Sequence, residues 1–404
     1  MKGINKLISL LQKPSFICLV YVVVALVATL LRIQFDFQPG IKAGSIEQIN
    51  ASEINNYTIY CNSFYHLIHH ITLYGYFNKE QLDQYLYSPS FPFIIMPFVI
   101  LPKYIGVVLW CIFNALALFF AVRVLNIDEK KKVFIHWFVF LEMLTSIQNI
   151  QVNPLVAALF IFAFAAFESK KIGLAAFIIV VSLFIKVFGI VGASMFFFYP
   201  HRLKFIGYFI FWSGVIFLLP LFFISFDELL NQYKGWYTAI ISYHSDDIND
   251  RLSAMQLLAV NLHFQLNDVG RYAIQIVAVI IFCIKYIRYK LFNNAQFKLL
   301  FLSTILIWST IFNNAVESPS FVIAATGIAL WYIADDKSKF NTALMIFAFV
   351  FTCLSPTDLF PRYVRETFIV PYVLKCLPSF IIWLKIEYEL VFRKRNLLAQ
   401  SINA

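Results

Sequence analysis

Apolar runs recur along almost the whole of this 404-residue chain, broken by only two long polar stretches, 36–88 and 227–268. Charged residues make up 13% of it and hydrophobic ones 61%, against roughly 25% charged in an average soluble domain. A chain with this pattern is an integral membrane protein. It leaves no room for a soluble catalytic domain, so any site must be built from the two polar stretches and the helix ends beside them. The whole chain, 1–404, reads as one membrane domain with 36–88 and 226–269 as its long loops.

Lys2, Lys6 and Lys13 precede an apolar segment from Ser15 to Leu31 with no small-residue cleavage pattern after it, which reads as a retained signal anchor. With the N-terminus in the cytoplasm, spans fall near 15–33, 104–124, 133–148, 154–168, 172–185, 187–199, 205–225, 270–288, 297–312, 320–333, 340–354 and 368–390, about twelve crossings. Several are shorter than the roughly 20 residues of a straight span, so half-helices or tight hairpins are expected. The run 88–102 fits either a further crossing or half of a broken helix.

Charge supports this layout. The presumed inner segments hold Arg123, Lys130–Lys132, Lys170, Lys171, Arg202, Lys204, Lys285, Arg288 and Lys290, among others, whereas the two long loops carry few lysines or arginines and many carboxylates. Basic residues favour cytoplasmic loops, which places the long loops outside and accounts for the net charge of +10 without nucleic acid. Five of the six cysteines fall in apolar spans and no CxxC occurs, so neither a disulfide framework nor a zinc site is suggested.

Parity then gathers four scattered polar features on the outer side: the 36–88 loop, QNIQVNP near 148–154, Lys186, and NNAVESPS at 313–320. Polar groups at membrane depth are costly, about 2.5–3.5 kcal/mol for a central charge on insertion scales, so they tend to line something. In the first loop, Ser52 is a fitting N-cap for an amphipathic helix. Tyr57, Tyr60, Cys61, Phe64, Leu67, Ile68 and Ile71 share its apolar face, with Asn55, Asn62, His66, His69 and His70 on the other. Such a helix is expected to lie flat on the membrane surface or on the tops of the spans. His66 and His70 stand at metal-ligand spacing, yet no HExxH and no third ligand accompany them; a solvated pair is the simpler reading, and no metal or other cofactor is called for.

Glu53 at the head of this helix reads either as a carboxylate favoured by the helix dipole or as a general base, and Asp36 is a second candidate base that could equally mark the membrane interface. Glu317, between two apolar spans, is a candidate to line a substrate, or else a turn cap. Lys186 interrupts an apolar stretch where a snorkelling lysine would be expected on the other side, so it suits contact with a phosphate. Gln148, Asn149, Gln151 and Asn153 crowd one turn; amides offer sugar hydroxyls a donor and an acceptor together, and they equally cap helices. In the second loop Trp236, Tyr237, Tyr243 and His244 stand beside Asp246, Asp247 and Asp250, a mixture that fits carbohydrate stacking or interfacial anchoring.

Taken in order, these motifs resemble a known group. YSPSFPFIIMPFVILP at 87–102, with Trp110 and Asn114 after it, resembles the tyrosine-proline run of glycosyltransferase family 87, the polyprenyl-phosphate-mannose-dependent membrane transferases of GT-C type. IQVNPL, FIKVFG and NNAVESPS resemble later segments of the same family. The resemblance implies an all-α polytopic GT-C-like fold of about twelve transmembrane helices, with an amphipathic helix in the first outer loop and a pocket at the outer surface of a bacterial inner or plasma membrane. It implies a polyprenyl-phosphate sugar as donor, a glycan or glycolipid as acceptor, and a first-loop carboxylate that deprotonates the acceptor with inversion at the anomeric carbon. Asn56 occupies the position where the family carries an acidic residue, and Ile150 stands in place of its usual glycine. Glu53, Glu317 or Asp36 would then serve as base, and Asn56, Tyr60, Gln151, Asn153, Lys186 and Asn314 would contact sugar or lipid head. A lipid-glycan transporter, flippase or polymerase, or an inactive relative, are the alternatives.

Overall fold

A computed structural model describes residues 2–36, 53–242, 252–357 and 360–393. Among these residues the fold is entirely helical, without a strand. Helices α1 (Lys2–Leu11) and α2 (Pro14–Asp36) open the chain, and α3 (Asn55–Ile68) follows the first part of the polar stretch. A proline-rich turn, α4 (Phe91–Val99), leads into α5 (Lys103–Val124), α6 (Glu129–Gln148), α7 (Asn153–Glu168) and α8 (Ile172–Ile185). The chain then runs through 3₁₀ turns over Val187–Phe198 into α9 (Arg202–Leu218), α10 (Phe226–Ser242), α11 (Ala254–Asn261) and α12 (Asp268–Ile284). It ends with α13 (Ala295–Ile311), α14 (Phe321–Ala334), α15 (Lys339–Ala348), the single turn α16 (Arg362–Val364) and α17 (Leu377–Phe392).

Four helical stretches have the length and apolar composition to cross a membrane: Pro14–Asp36, Lys103–Val124, Arg202–Phe222 and Asp268–Leu291. The remaining apolar helices are shorter, at 10–17 residues. At the bundle centre α14 packs on α13, α6 and α7, and nearly every residue of it is buried, as expected of a helix apolar on all sides. Lipid offers no hydrophobic drive for helix association, so small side chains that permit close approach carry the packing; Ala324, Ala325 and Ala329 supply them here.

One open alternative is decided and one expected span needs correction. The run 88–102 forms a helix of only 9 residues, about 14 Å at 1.5 Å per residue, so α4 by itself is no crossing. Proline ends it: Pro97 lies within it and Pro102 just past it. The span expected over 368–390 is broken, with regular α-helix only from Leu377. Pro371 and Pro378 interrupt it, Val373 takes φ 54°, and Lys375 turns inward to Glu142 at 2.9 Å. The first-loop helix buries most of its expected apolar face: Tyr57, Tyr60, Phe64 and Leu67 are buried, as are Ile59, Ser63 and His66. It stops at Ile68, so His69, His70 and Ile71 lie beyond it. Ser52 falls outside the described residues, as do Tyr243, His244, Asp246, Asp247 and Asp250.

At one end of the bundle ion pairs cluster, Arg123 with Glu129, Lys298 with Glu168, and Lys385 and Arg393 with Asp335. At the other end α2, α6, α8 and α13 finish and α5, α7, the 3₁₀ segment and α14 begin. The two polar stretches cap that second end together. Gln232 of α10 accepts the Leu73 amide at 2.9 Å and donates to the Ile71 carbonyl at 3.0 Å, and the Trp236 indole donates to the Leu86 carbonyl at 3.0 Å.

Candidate functional site

Beneath this cap lies a cavity of about 420 Å³. Its wall is built from helix ends, the 83–87 loop and Gln275 of α12. Helix α3 contributes Asn56 and Ile59, and the loop after it Asp83, Gln84, Leu86 and Tyr87. The α6–α7 turn gives Gln151, the start of the 3₁₀ segment gives Lys186, Val187, Ile190 and Val191 among others, and the end of α13 with the following turn gives Trp308, Phe312, Asn314 and Glu317 among others. Of the residues expected to form a site, Asn56, Gln151, Lys186, Asn314 and Glu317 therefore meet at one cavity.

These side chains are linked. The Lys186 ammonium donates to Asn153 Oδ1 at 2.7 Å, Asn153 Nδ2 to Gln151 Oε1 at 2.6 Å, and Gln151 Nε2 to Glu317 Oε2 at 2.8 Å. Each amide accepts on one side and donates on the other, so the chain has a direction, from ammonium to carboxylate. Asn153 is wholly buried and acts as the hidden link rather than as wall. On the far side Gln275 of α12 donates to Asn314 Oδ1 at 2.9 Å and to the Phe312 carbonyl at 3.1 Å.

Local chain chemistry explains how these groups reach the cavity. Gly189, in the turn after Lys186, donates its amide to the Lys186 carbonyl at 2.7 Å. A Cβ at Gly189 would collide with the backbone of Ser182 on α8, so glycine lets the chain fold straight back and leaves Lys186 at the tip. Between α6 and α7, Ile150 takes φ 53°, a region that suits glycine and strains a β-branched residue. The turn persists because its neighbours hold it: Asn56 Nδ2 donates to the Asn149 carbonyl at 2.8 Å, and the Gln151 amide to the Ser146 carbonyl at 3.0 Å. Asn56 thus clamps α3 to the amide turn.

The other expected residues lie elsewhere. Glu53 pairs with Arg32 at 2.7 Å, and its backbone amide donates to Asp36 Oδ1 at 3.1 Å; both carboxylates sit together at the end of α2, and neither lines the cavity. Tyr60 is fully buried, its hydroxyl 3.0 Å from that of Tyr87. Tyr87, not Tyr60, presents a ring to the cavity. His66 and His70 turn to different carboxylates, Glu80 at 2.8 Å and Glu228 at 3.0 Å.

Glu228 also closes a capping box at the start of α10. Its carboxylate accepts the Ser225 amide at 2.8 Å and the Ser225 hydroxyl at 2.9 Å. These hydrogen bonds, from the Ser225 backbone first, hold the Glu228 carboxyl below its ordinary range.

Sequence reasoning passed over Asp83, Gln84, Gln275 and Trp308, which line the cavity beside Tyr87 of the tyrosine-proline run. A signal existed for two of them. Gln275 is an isolated amide in the apolar run AIQIVAV, a pattern that marks a lined path in membrane helices. Asp83 precedes the tyrosine-proline run by only a few residues.

Chemically, the cavity joins an ammonium beside apolar side chains to amides and two carboxylates. That set can bind a phosphate on an apolar stem, hold hydroxyl groups and accept a proton. The model of glycosyltransferase family 87 matches residues 85–356, a range that contains most of these wall residues. No curated protein matches the chain.

Proposed function

The chain belongs to glycosyltransferase family 87, and from that premise we propose that this membrane glycosyltransferase moves a hexose, mannose in our reading, from a polyprenyl phosphate to a glycan or glycolipid hydroxyl. The observation that carries this reading is the relay from Lys186 to Glu317, set between apolar and polar walls of one cavity. Val187, Ile190, Val191, Trp308 and Phe312 suit a prenyl chain. Lys186, at their edge, suits the phosphate as a point charge. Asn56, Gln151 and Asn314 suit sugar hydroxyls, and Asn153 orients Lys186 and Gln151 from behind.

In this mechanism the acceptor hydroxyl loses its proton to a carboxylate of the wall while its oxygen attacks the anomeric carbon. The bond from that carbon to the phosphate oxygen breaks, and the electron pair leaves with the lipid phosphate, whose charge Lys186 stabilises. Attack opposite the leaving group inverts the anomeric carbon. Asp83 and Glu317 are the carboxylates on the wall. The positions of Glu53 and Asp36 suit them instead to holding the start of α3 to α2.

The shorter apolar helices complete about twelve crossings in this reading, with the cavity on the extracytoplasmic face of a bacterial plasma membrane. The abundance of basic residues around the opposite end supports that orientation.

The test is transfer in proteoliposomes supplied with a radiolabelled polyprenyl-phosphate mannose. The wild type is expected to release polyprenyl phosphate and label an added mannoside. Lys186→Met is expected to raise the donor KM about 10-fold or more, from the roughly 1.5–3 kcal/mol of a hydrogen bond to a charged group. Wild-type protein that leaves every such donor intact would overturn the reading.

A further inference from the structure

We propose that Lys375 is a positioning residue of the site: from the break in the last span it fixes the turn that carries Glu317, and Glu142 serves to keep the ammonium in that place. The inference rests on the transferase reading above.

The break itself brings Lys375 inward. Pro371 and Pro378 interrupt the helix, Val373 takes φ 54°, and the Lys375 carbonyl accepts the Thr352 hydroxyl at 2.9 Å. The ammonium is then enclosed by acceptors, Glu142 Oε1 at 2.9 Å and Oε2 at 3.1 Å, and the Ser318 hydroxyl at 2.8 Å and carbonyl at 3.1 Å. An ammonium can only donate, and every N–H of this one has an acceptor. Lys375 is 3% exposed and Glu142 0%. The ring of Phe321, which opens α14, lies 5.0 Å from the ammonium.

A pair this deep is a poor stabiliser. Desolvating both charges offsets much of their attraction, and apolar residues of similar volume often replace such a pair without loss. What the pair does supply is a fixed donor at Ser318, the residue after Glu317. Ser318 offers it a side-chain and a backbone oxygen together, so the peptide beside Glu317 is held from behind. Backbone bonds hold the rest of the turn: the Val316 carbonyl accepts the Leu252 amide at 3.3 Å, and the Ser320 amide donates to the Glu317 carbonyl at 3.0 Å.

The same helix grips this turn from the other side. Glu142 lies on α6, the α6–α7 turn carries Gln151, and Gln151 donates to Glu317 at 2.8 Å across the cavity. Lys375 fixes where the Glu317 side chain starts, and Gln151 fixes where it ends. Misplacing a group of the site by about 1 Å can cost about 10²-fold in rate. The tie therefore bears on turnover more than on folding.

The experiment compares wild type, Glu142→Leu with Lys375→Met, and Glu142→Gln with Lys375→Gln, in proteoliposomes supplied with polyprenyl-phosphate mannose and octyl mannoside. The apolar double variant is expected to melt close to wild type yet to turn over about 10²-fold more slowly. Its donor KM should stay within about 3-fold, because Lys186 and the apolar wall remain, so that the loss falls on kcat. The amide double variant carries no charge but keeps N–H groups toward Ser318, and is expected to recover about 10-fold of that loss through the restored hydrogen bond. Hydrogen exchange over residues 316–320 reads the same tie without turnover. It is expected to quicken in the apolar variant and to slow again in the amide variant. Wild-type kcat in the apolar variant, a loss that the amide variant shares in full, or unchanged exchange overturns the positioning role. Unfolding of both variants overturns it as well, since the pair would then serve stability. Wild type that leaves the donor intact overturns the transferase reading alone.

Discussion

Single side chains at the capped end are held by short polar contacts whose strength depends on charge. The Ser225–Glu228 box that starts α10 is the simplest case, since the carboxylate accepts two hydrogen bonds from Ser225 and reciprocates the cap. Because folding depresses the Glu228 pKa, its stabilisation is present above the carboxylate's unfolded pKa and is lost as pH falls through the lower folded value. Amide exchange in the first turns of α10 is therefore expected to quicken as pH drops below the ordinary carboxylate range, after correction for intrinsic exchange. Glu228→Gln should show the fast exchange already at neutral pH; equal protection in both proteins would contradict this. Ile150 shows the opposite situation, a strained residue with φ 53° kept in place by its neighbours. It is also 1% exposed, so its apolar packing offsets part of what the backbone costs, about 1–3 kcal/mol for such a conformation.

Among elements, the position of α3 decides the site, and its seat is set by one small residue. Tyr57 on α3 donates to the Phe98 carbonyl at the end of α4, at 3.0 Å, directly over Gly106 of α5. A Cβ at Gly106 would overlap both the Tyr57 hydroxyl and the Phe98 carbonyl. Gly106→Ala is expected to force α3 and α4 outward, with an overpacking cost of about 1–3 kcal/mol, read as a lower melting temperature of the purified protein. Tyr57→Phe in the same background should relieve part of that cost by removing the nearest atom; no relief would place the strain elsewhere. Periodicity showed that a helix stood here and much of the face it buries but left its setting open, because a run of aromatic residues suits a membrane surface and a buried seam equally. The buried seam is decided by α4, α5 and the 71–90 loop, all distant in sequence from the residues they cover.

At the scale of the whole molecule, ion pairs lie inside the bundle among the described residues, such as Lys285 with Glu387 at 2.6 Å and Lys375 with Glu142 at 2.9 Å. The second reaches the site. The Lys375 ammonium also donates to the Ser318 hydroxyl at 2.8 Å and carbonyl at 3.1 Å, next to Glu317. Removing one partner strands a buried charge, so Lys375→Met is expected to cost about 3–5 kcal/mol, whereas Glu142→Leu with Lys375→Met should restore most of the stability. Thermal unfolding in detergent checks this; a double variant no more stable than Lys375→Met would refute it.

The sequence by itself determined that this is a helical membrane protein, which polar segments share one end of it, and which family its ordered motifs match. Those properties follow from hydropathy, from the parity of short spans and from local motif spacing, all of which are read along the chain. Only the tertiary structure decided that Lys186, Asn153, Gln151 and Glu317 form one directed chain, that Glu53 is engaged by Arg32, and that Asp83 faces the same cavity. A hydrogen bond across 166 positions, such as that from Gln151 to Glu317, leaves no periodic trace. It exists because α6–α7 and α13–α14 turn at the same height, and helix packing sets that height.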